Sequence, residues 1–373
     1  MNLKDAYSEP VSSTEITSRN TLKGKFNFGI CNKQKQFQRE KMKKFSMLMT
    51  TVLIAASSLT IARAQTVKGS KKTSVRSLAS QKHSQSSNIM EYRKIKVEDT
   101  EIFYREAGEK AKPIILLLHG FPSSSHMYRN LITKLAPDYH IIAPDYPGFG
   151  MSSSPSPETF NYTFDHLSEI VEKFIDNLKL TSITFYLQDY GGPIGFRIAS
   201  RRPELVKALI IQNANMYMEG IGPDVQKIGA LSAAKDTEGL EAAANYMMSL
   251  EGIKEQYLYG ASQPERISPD SYNMDHFFFE RPGIKDIQKV LFRDYENNFP
   301  KYPEWQNYLR KHQPPTLLVW GKNDKIFPGA GATAYKKDLP KAEVHLFNGG
   351  HFLLEESGEE VAALIQSFLK KLK

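Results

Sequence analysis

The residue best placed to do chemistry is Asp189, which lies between a buried strand pattern and a helix pattern. The apolar run 183–187 is followed by Gln188-Asp189-Tyr190-Gly191-Gly192, and residues 193–199 continue as a helix. A strand-turn-helix of this kind lifts its central side chain above the end of a parallel sheet, and the glycines permit the bend. A serine there suits acyl transfer, whereas a carboxylate suits displacement at a saturated carbon. The resulting ester can then be cleaved by water.

A carboxylate nucleophile needs donors for the negative charge that develops on its ester oxygen. The motif His119-Gly120-Phe121-Pro122 follows the apolar run 113–118. The backbone N–H of Phe121 is therefore one predicted donor, and the backbone N–H of Tyr190 is the other. We interpret His119 as structural, because a histidine before a glycine turn more often hydrogen-bonds its own loop than transfers protons.

The same nucleophile needs a base to activate water and an acid to orient that base. His351 in Asn348-Gly349-Gly350-His351-Phe352 follows the last predicted strand, and we predict that it is the base. Asp324 in Trp320-Gly321-Lys322-Asn323-Asp324 follows another strand and is the predicted orienting acid. The alternatives are a surface-loop histidine and an ordinary turn closed by an Asx hydrogen bond.

Buried strands that alternate with helices must position these residues. The strand patterns are 113–118, 139–143, 183–187, 208–211, 315–320 and 344–347, and the helix patterns are 128–135, 163–178, 192–200 and 359–372. This alternation predicts an α/β fold with a doubly wound, mostly parallel sheet and a site at the carboxyl ends of its strands.

The alternation is interrupted over residues 215–300, which are mostly helical in pattern and rich in aromatic residues. We predict that this segment is an inserted helical lid, between core segments 91–214 and 301–373. Most of its aromatic side chains are expected to build the core of the lid itself. The chain has no metal-ligand spacing and no phosphate-binding glycine loop, so we predict neither a metal nor an organic cofactor.

The beginning of the chain has the pattern of a leader. A basic start at Met42, an uncharged and mostly apolar stretch, and the ending Ala62-Arg63-Ala64 predict a signal peptide over residues 42–64. Residues 1–41 are then an upstream extension, and residues 65–90, which lack acidic residues, a flexible linker. The prediction is export, to the periplasm or the medium, with no stable membrane span after cleavage. An uncleaved membrane anchor is the alternative.

The charge of the chain belongs to this leader and linker. Of the net charge of +8, residues 1–64 carry +7 and residues 65–90 carry +5, so residues 91–373 carry −4. The basic composition therefore does not indicate nucleic-acid binding. The single cysteine, Cys31, precedes the predicted cleavage site, which excludes a disulfide framework and a thiol nucleophile in the mature protein.

The motifs described above, with Asp145-Tyr146-Pro147-Gly148-Phe149-Gly150, resemble the α/β-hydrolase superfamily over residues 91–373. The order nucleophile, acid, histidine is that of this fold. An aspartate at the turn resembles the branch that contains haloalkane dehalogenases and epoxide hydrolases. Leu187 stands where the serine form has its first glycine, a replacement that is also common in the aspartate branch.

The resemblance implies an aspartyl ester intermediate. It does not decide between two leaving groups, a halide and the oxygen of an epoxide. Dehalogenases hold halide with a Trp after the nucleophile and a lid Trp or an Asn in the His-Gly-x-Pro loop. Tyr190 and Phe121 occupy these positions here, and the only tryptophans, Trp305 and Trp320, lie outside the predicted lid.

Epoxide hydrolases use lid tyrosines, and the candidates here are Tyr295, Tyr259 and Tyr257. We therefore predict opening of epoxides to diols, with a small apolar substrate and water as the reactants. The alternatives are haloalkane dehalogenation, ester hydrolysis, which the missing serine disfavours, and a secreted binding protein that keeps the fold without turnover. The oligomeric state is not predicted.

Overall fold

The computed structural model describes residues 89–372, and its centre is one eight-stranded sheet. The strand order is β1-β2-β4-β3-β5-β6-β7-β8. The strands are β1 Glu91–Val97, β2 Thr100–Ala107, β3 Ile114–Leu118, β4 His140–Pro144, β5 Ile183–Gln188, β6 Val206–Gln212, β7 Thr316–Gly321 and β8 Glu343–Phe347. The two pairs that involve β2 are antiparallel, and every other pair is parallel.

Eleven α-helices accompany the sheet within the described residues. They are α1 Arg129–Leu135, α2 Phe164–Asn177, α3 Gly191–Arg201, α4 Pro223–Ala233, α5 Thr237–Met247, α6 Leu250–Leu258, α7 Pro269–Phe279, α8 Ile284–Asp294, α9 Tyr302–His312, α10 Ala330–Ala334 and α11 Leu353–Lys370. Helices α2, α3 and α9 pack together, and α1 packs against α11. The predicted α/β fold with its mostly parallel sheet is confirmed.

The central strands form because their residues are apolar on both faces. Every residue of β4, β5 and β7 is buried. A parallel strand that is covered by helices on both sides requires such an uninterrupted apolar run. Consequently, the carboxyl ends of β3, β5, β7 and β8 meet at one edge of the sheet, where the loops that follow them converge.

Two strands, β1 and β2, are not predicted from the sequence, and one helix begins earlier than predicted. Strand β1 is exposed at most of its positions, and β2 pairs with it at the antiparallel edge of the sheet, so neither carries the uninterrupted apolar run used to find the other strands. Helix α11 begins at Leu353, six residues before the predicted start, and its backbone departs from helical geometry at Ser357.

Helices α4 to α8 lie between β6 and β7 in the chain. They cover the edge of the sheet at which the carboxyl ends of β3, β5, β7 and β8 meet. They are tied to the core by polar contacts. Lys325 Nζ lies 2.7 Å from Glu255 Oε1 in α6 and 3.3 Å from Asp224 Oδ2 in α4. The Ser123 hydroxyl donates to Asp275 Oδ1 in α7 over 3.1 Å. This segment thus closes over the loops that carry the predicted site residues.

The predicted upstream extension, the signal peptide and most of the linker lie outside the described residues. Within residues 89–372, no helix combines the length and the apolar character needed to cross a membrane.

Candidate active site

Asp189 lies on the sharp turn between the last residue of β5 and the first residue of α3. Its backbone φ is +48°, a left-handed conformation that non-glycine residues adopt rarely and that is typical of functional sites. Gly191, two residues after Asp189, must be glycine, because a Cβ there would lie 2.1 Å from the carbonyl oxygen of Leu118 in β3. The turn therefore brings the Asp189 carboxylate to the carboxyl end of the sheet.

The loop after β3 supplies the first predicted donor. The backbone N–H of Phe121 donates to Asp189 Oδ1 over 2.8 Å. Burial raises the pKa of Asp189 to about 6, although His351 and the backbone N–H groups of Phe121 and Tyr190 favour its ionised form. Both predicted donors thus act on the Asp189 carboxyl group.

His119 holds the loop that carries Phe121. Its ring is buried, stacks on Tyr146 with a centroid distance of 4.1 Å, and bonds the Gly120 carbonyl oxygen through Nδ1 at 3.1 Å. Burial lowers the pKa of His119 to about 4, so the ring is neutral near pH 7. These contacts agree with the structural role predicted for this histidine.

The loop after β8 places His351 beside two carboxylates. Its Nδ1 lies 2.7 Å from Asp324 Oδ2, and its Nε2 lies 3.8 Å from Asp189 Oδ2. Burial alone lowers the pKa of His351, but the charge and hydrogen bond of Asp324 and the charge of Asp189 outweigh it and raise the pKa. The structure therefore brings Asp189, Asp324 and His351 together in the arrangement of a nucleophile, an orienting acid and a base.

Asp324 is itself held in place by two donors. The side-chain amide of Asn213, which follows β6, donates to its Oδ2 over 2.8 Å, and the backbone N–H of Ile326 donates to its Oδ1 over 2.7 Å. The sequence showed only that Asn213 follows a strand, and it did not indicate that this amide supports the acid.

The Asp189 carboxylate opens into a small cavity between the core and the lid. The lining is mostly apolar, with Asp189 as its charged group. The lining residues are Phe121, Asp189, Tyr190, Val225, Ile228, Met247, Gln256, Phe292, Tyr295, Ile326 and Phe327. Such a cavity suits a small, largely apolar molecule.

Of the three lid tyrosines proposed to act on the leaving group, only Tyr295 lines this cavity. Its ring stacks on that of Tyr190 with a centroid distance of 5.8 Å. The hydroxyl of Tyr257 instead donates to Asp275 Oδ2 over 2.6 Å, inside the lid. The ring of Tyr259 is half exposed and lies under the Lys325 ammonium at 4.9 Å. The structure therefore does not bring Tyr257 and Tyr259 to the cavity.

The two tryptophans do not line the cavity either. Trp320 Nε1 donates to the Phe327 carbonyl oxygen over 2.7 Å, and Trp305 is buried in α9 against Phe196. No indole N–H therefore faces a leaving group at Asp189.

Gln256 in α6 is a buried polar residue of the lining that the sequence analysis did not single out. Its Nε2 donates to the carbonyl oxygens of Met247 and Gly252 over 3.1 and 3.2 Å. Both amide hydrogens are thereby used. Two other lining residues, Tyr190 and Tyr295, carry a hydroxyl group, and that of Tyr295 interacts with the hydroxyl of Tyr302.

A second, open cleft lies among helices α4, α5 and α6 and contains Lys325 with its partners Asp224 and Glu255. Ile228, Met247 and Gln256 line both the cleft and the cavity at Asp189, so these side chains separate the two spaces. No group of three or more His, Cys, Asp or Glu side chains within residues 89–372 could hold a metal ion.

The fold and this site define the class of the protein. The family model of the alpha/beta hydrolase fold matches residues 113–358, and the chain belongs to that family. It is 41% identical to an uncharacterized hydrolase of Saccharomyces cerevisiae, over 72% of this chain and 93% of the yeast protein.

More distant relatives narrow the branch. The chain is 30% identical to a cis-3-alkyl-4-alkyloxetan-2-one decarboxylase of Shewanella oneidensis, over 72% of this chain and 85% of that protein. It is 28% identical to a haloalkane dehalogenase of Psychrobacter cryohalolentis, over 73% of this chain and 89% of that protein. A mutant of the haloalkane dehalogenase DatA from Agrobacterium tumefaciens shares the fold, with a TM-score of 0.64 and 22% identity over 76% of this chain and 99% of that chain. The resemblance to the aspartate-nucleophile branch is thus confirmed, and the protein is a hydrolase of the α/β fold.

Proposed function

We propose that the protein hydrolyses at a saturated carbon through an ester on Asp189, and that it opens epoxides to diols. The observation that carries the proposal is the Asp189 carboxylate, which accepts the Phe121 N–H and faces a cavity that is lined by two tyrosines, Tyr190 and Tyr295. A carboxylate nucleophile suits a saturated carbon, and a hydroxyl donor suits an oxygen leaving group.

In the first step, an Asp189 carboxylate oxygen attacks an epoxide carbon and the carbon–oxygen bond of the ring breaks. The released alkoxide takes a proton from Tyr295, whose raised pKa keeps its hydroxyl protonated until that moment. Tyr190, which stacks on Tyr295, is the second donor from the same wall of the cavity. The product of this step is a hydroxyalkyl ester of Asp189.

In the second step, His351 removes a proton from water, and the hydroxide adds to the carboxyl carbon of Asp189. The backbone N–H groups of Phe121 and Tyr190 stabilise the oxyanion that forms. The tetrahedral intermediate then releases the diol, whose oxygen takes the proton from His351. Asp324, 2.7 Å from Nδ1, stabilises the imidazolium during this step. The proton that the restored carboxyl group loses returns to the tyrosinate.

Haloalkane dehalogenation is the second candidate, and the dehalogenase relatives favour it. It would use the same ester and the same histidine, with a halide as the leaving group. Against it stands the lining of the cavity, in which neither tryptophan takes part. Assays of styrene-oxide-type epoxides and of brominated alkanes, which follow diol and bromide release, distinguish the two candidates.

The ester itself is tested by a single turnover in water labelled with heavy oxygen. We expect label in the Asp189 carboxylate, detected by mass spectrometry of the peptide, because water attacks the carboxyl carbon. Label in the product alone would exclude the ester. His351→Gln should accumulate the alkylated protein as a mass increment, whereas Asp189→Asn should show none. A binding protein without turnover would give neither label nor product.

Export remains a proposal based on the sequence. If residues 42–64 are a cleaved signal peptide, the mature protein begins at Gln65. Amino-terminal sequencing of the protein from a secretion-competent host tests this directly. A protein that still carries residues 42–64 would contradict it.

A further inference from the structure

A side chain outside the proposed three-residue machinery contacts the reactive nitrogen of the base. Gln188, the last residue of β5, is fully buried, and its Nε2 lies 3.0 Å from His351 Nε2. Its Oε1 is buried without a hydrogen-bond partner in the part of the chain that the structure describes. The catalytic histidine proposed above is therefore bonded at both ring nitrogens before any water binds.

The direction of this hydrogen bond follows from the tautomer. Asp324 is held by two donors of its own, so it accepts at Oδ2 a proton that stays on His351 Nδ1. In the neutral ring, Nε2 then carries the lone pair, and the Gln188 amide donates to it. In the imidazolium form, Nε2 also carries a hydrogen, which would face an amide N–H at 3.0 Å. The contact therefore favours the neutral ring.

The other groups that face His351 act in the opposite sense. The charged groups beside its ring are Asp324 after β7 and Asp189 after β5, and both favour the imidazolium form. The two aromatic rings that pack near the ring of His351, those of Phe327 and Phe352, carry no charge. A protonated histidine cannot take a proton from water, so a base between two carboxylates needs a group that opposes them.

We propose that Gln188 is a positioning residue that holds His351 in its neutral form for hydrolysis of the ester. This inference rests on the function proposed above, because it concerns the base of that reaction. The amide N–H keeps the lone pair on His351 Nε2, because it would face a second hydrogen in the imidazolium form.

The surroundings of Gln188 fit this role. A Cβ at Gly120 would lie 2.4 Å from Gln188 Oε1 and 2.6 Å from Asp189 Oδ1. Gly120, in the loop that carries Phe121, therefore leaves the space that the Gln188 amide needs to reach His351. The neighbouring strand carries a second glutamine, Gln212, whose Nε2 donates to the backbone carbonyl oxygen of His351 over 3.3 Å. This residue touches the same histidine but not its ring, and it provides a matched control.

The test is the pKa of His351, measured without substrate by NMR on protein labelled with ¹⁵N-histidine. The resonance of His351 is identified by its absence in His351→Gln. In Gln188→Leu we expect the pKa to rise by about 1 relative to the wild type, since an amide donor to the neutral form is lost. In Gln212→Leu we expect no such rise. An unchanged His351 pKa in Gln188→Leu would overturn the proposal.

Gln188→Met fills the same space without a donor and is used if Gln188→Leu does not fold. With a substrate, the acidic limb of the rate of ester hydrolysis should move to higher pH in the same variant. The NMR titration needs no turnover, so it succeeds or fails independently of the labelling experiment. If the His351 pKa rises as expected in Gln188→Leu but Asp189 takes up no label, the proposed reaction is rejected and the role of Gln188 towards His351 is kept.

Discussion

The ring of Tyr257 lies flat against that of Phe352, with centroids 3.8 Å apart and planes inclined by 9°. Tyr257 belongs to lid helix α6, and Phe352 follows His351 in the chain. The hydroxyl of Tyr257 donates to Asp275 in another lid helix, and Asp275 also accepts a hydrogen bond from Ser123 in the core. One lid residue thus links the loop of the base, the lid interior and the loop after β3.

Removal of this ring should destabilise the protein more than removal of its hydroxyl. We expect Tyr257→Ala to lower the free energy of unfolding by about 3 kcal/mol, as for other large core residues. Tyr257→Phe keeps the stacked ring and should cost about 1 to 2 kcal/mol, because Asp275 loses one donor. Urea unfolding of both variants measures the difference. Equal losses would show that the hydroxyl, and not the ring, provides the stability.

Asp275 should make stability depend on pH. Burial raises its pKa to about 8, although the hydrogen bonds from Tyr257 and Ser123 and the charge of Arg129 lower it. Between the pKa of the unfolded chain, about 4, and that value, the native state holds a proton that the unfolded state has lost. Stability is therefore greatest at low pH in this window and falls as the pH rises, by up to about 1.4 kcal/mol per pH unit.

Asp275→Asn should remove this slope, because the amide does not titrate. Parallel urea titrations of the wild type and the variant at intervals between pH 5 and pH 8 test the prediction. The difference between the two free energies of unfolding should move in favour of the variant as the pH rises. A constant difference would show that Asp275 is ionised in the folded protein across this range.

Alkylation of Asp189 should fail in acid. Its pKa of about 6 means that the carboxylate is mostly protonated at pH 5, and a protonated carboxyl group is a poor nucleophile. We expect the single-turnover rate of ester formation to fall about tenfold between pH 7 and pH 5. Rapid quenching of the wild type within the first turnover isolates this step, because His351→Gln removes a charge that lowers the Asp189 pKa. A rate that is flat to pH 4 would mean that Asp189 ionises as an ordinary exposed aspartate.

Tyr295→Phe should separate the two candidate leaving groups. Loss of a proton donor typically costs about 100-fold in rate or more, so epoxide opening should fall by that factor. Release of bromide from a bromoalkane needs no proton and should change little. Tyr257→Phe, a lid tyrosine outside the cavity, serves as the control for both assays. Equal losses with both substrates would assign Tyr295 to the shape of the cavity and not to proton transfer.

The proximity of Asp189, Asp324 and His351 could be predicted because each one lies shortly after the end of a strand. The order of the strands in a doubly wound sheet brings such positions to one edge, whatever the detail of the helices. The Phe121 loop could be predicted for the same reason.

The tyrosines of the lid could not be predicted in this way. Tyr257 and Tyr259 are close in the sequence, but Tyr257 is buried against Phe352 whereas Tyr259, just beyond the end of α6, is half exposed. Whether the side chain of a lid residue points towards the cavity depends on how the short helices pack on one another. The sequence of a single helix does not determine this packing. The contacts of Gln188 and Gln256 could not be predicted, because nothing in the sequence reveals that a buried amide has one atom without a partner.

Three side chains, those of Ile228, Met247 and Gln256, separate the open cleft among helices α4, α5 and α6 from the cavity at Asp189, and this has a kinetic consequence. Ile228 and Met247 are partly exposed, and Met247 is unbranched and can adopt many rotamers. Rotation of such side chains takes about nanoseconds, whereas displacement of a whole lid takes microseconds to milliseconds. Exchange through this wall would leave the Lys325 ion pairs and the Tyr257 stack intact. Small molecules would then enter and leave the cavity while the lid stays shut, so their exchange would not wait for a slow displacement of the lid.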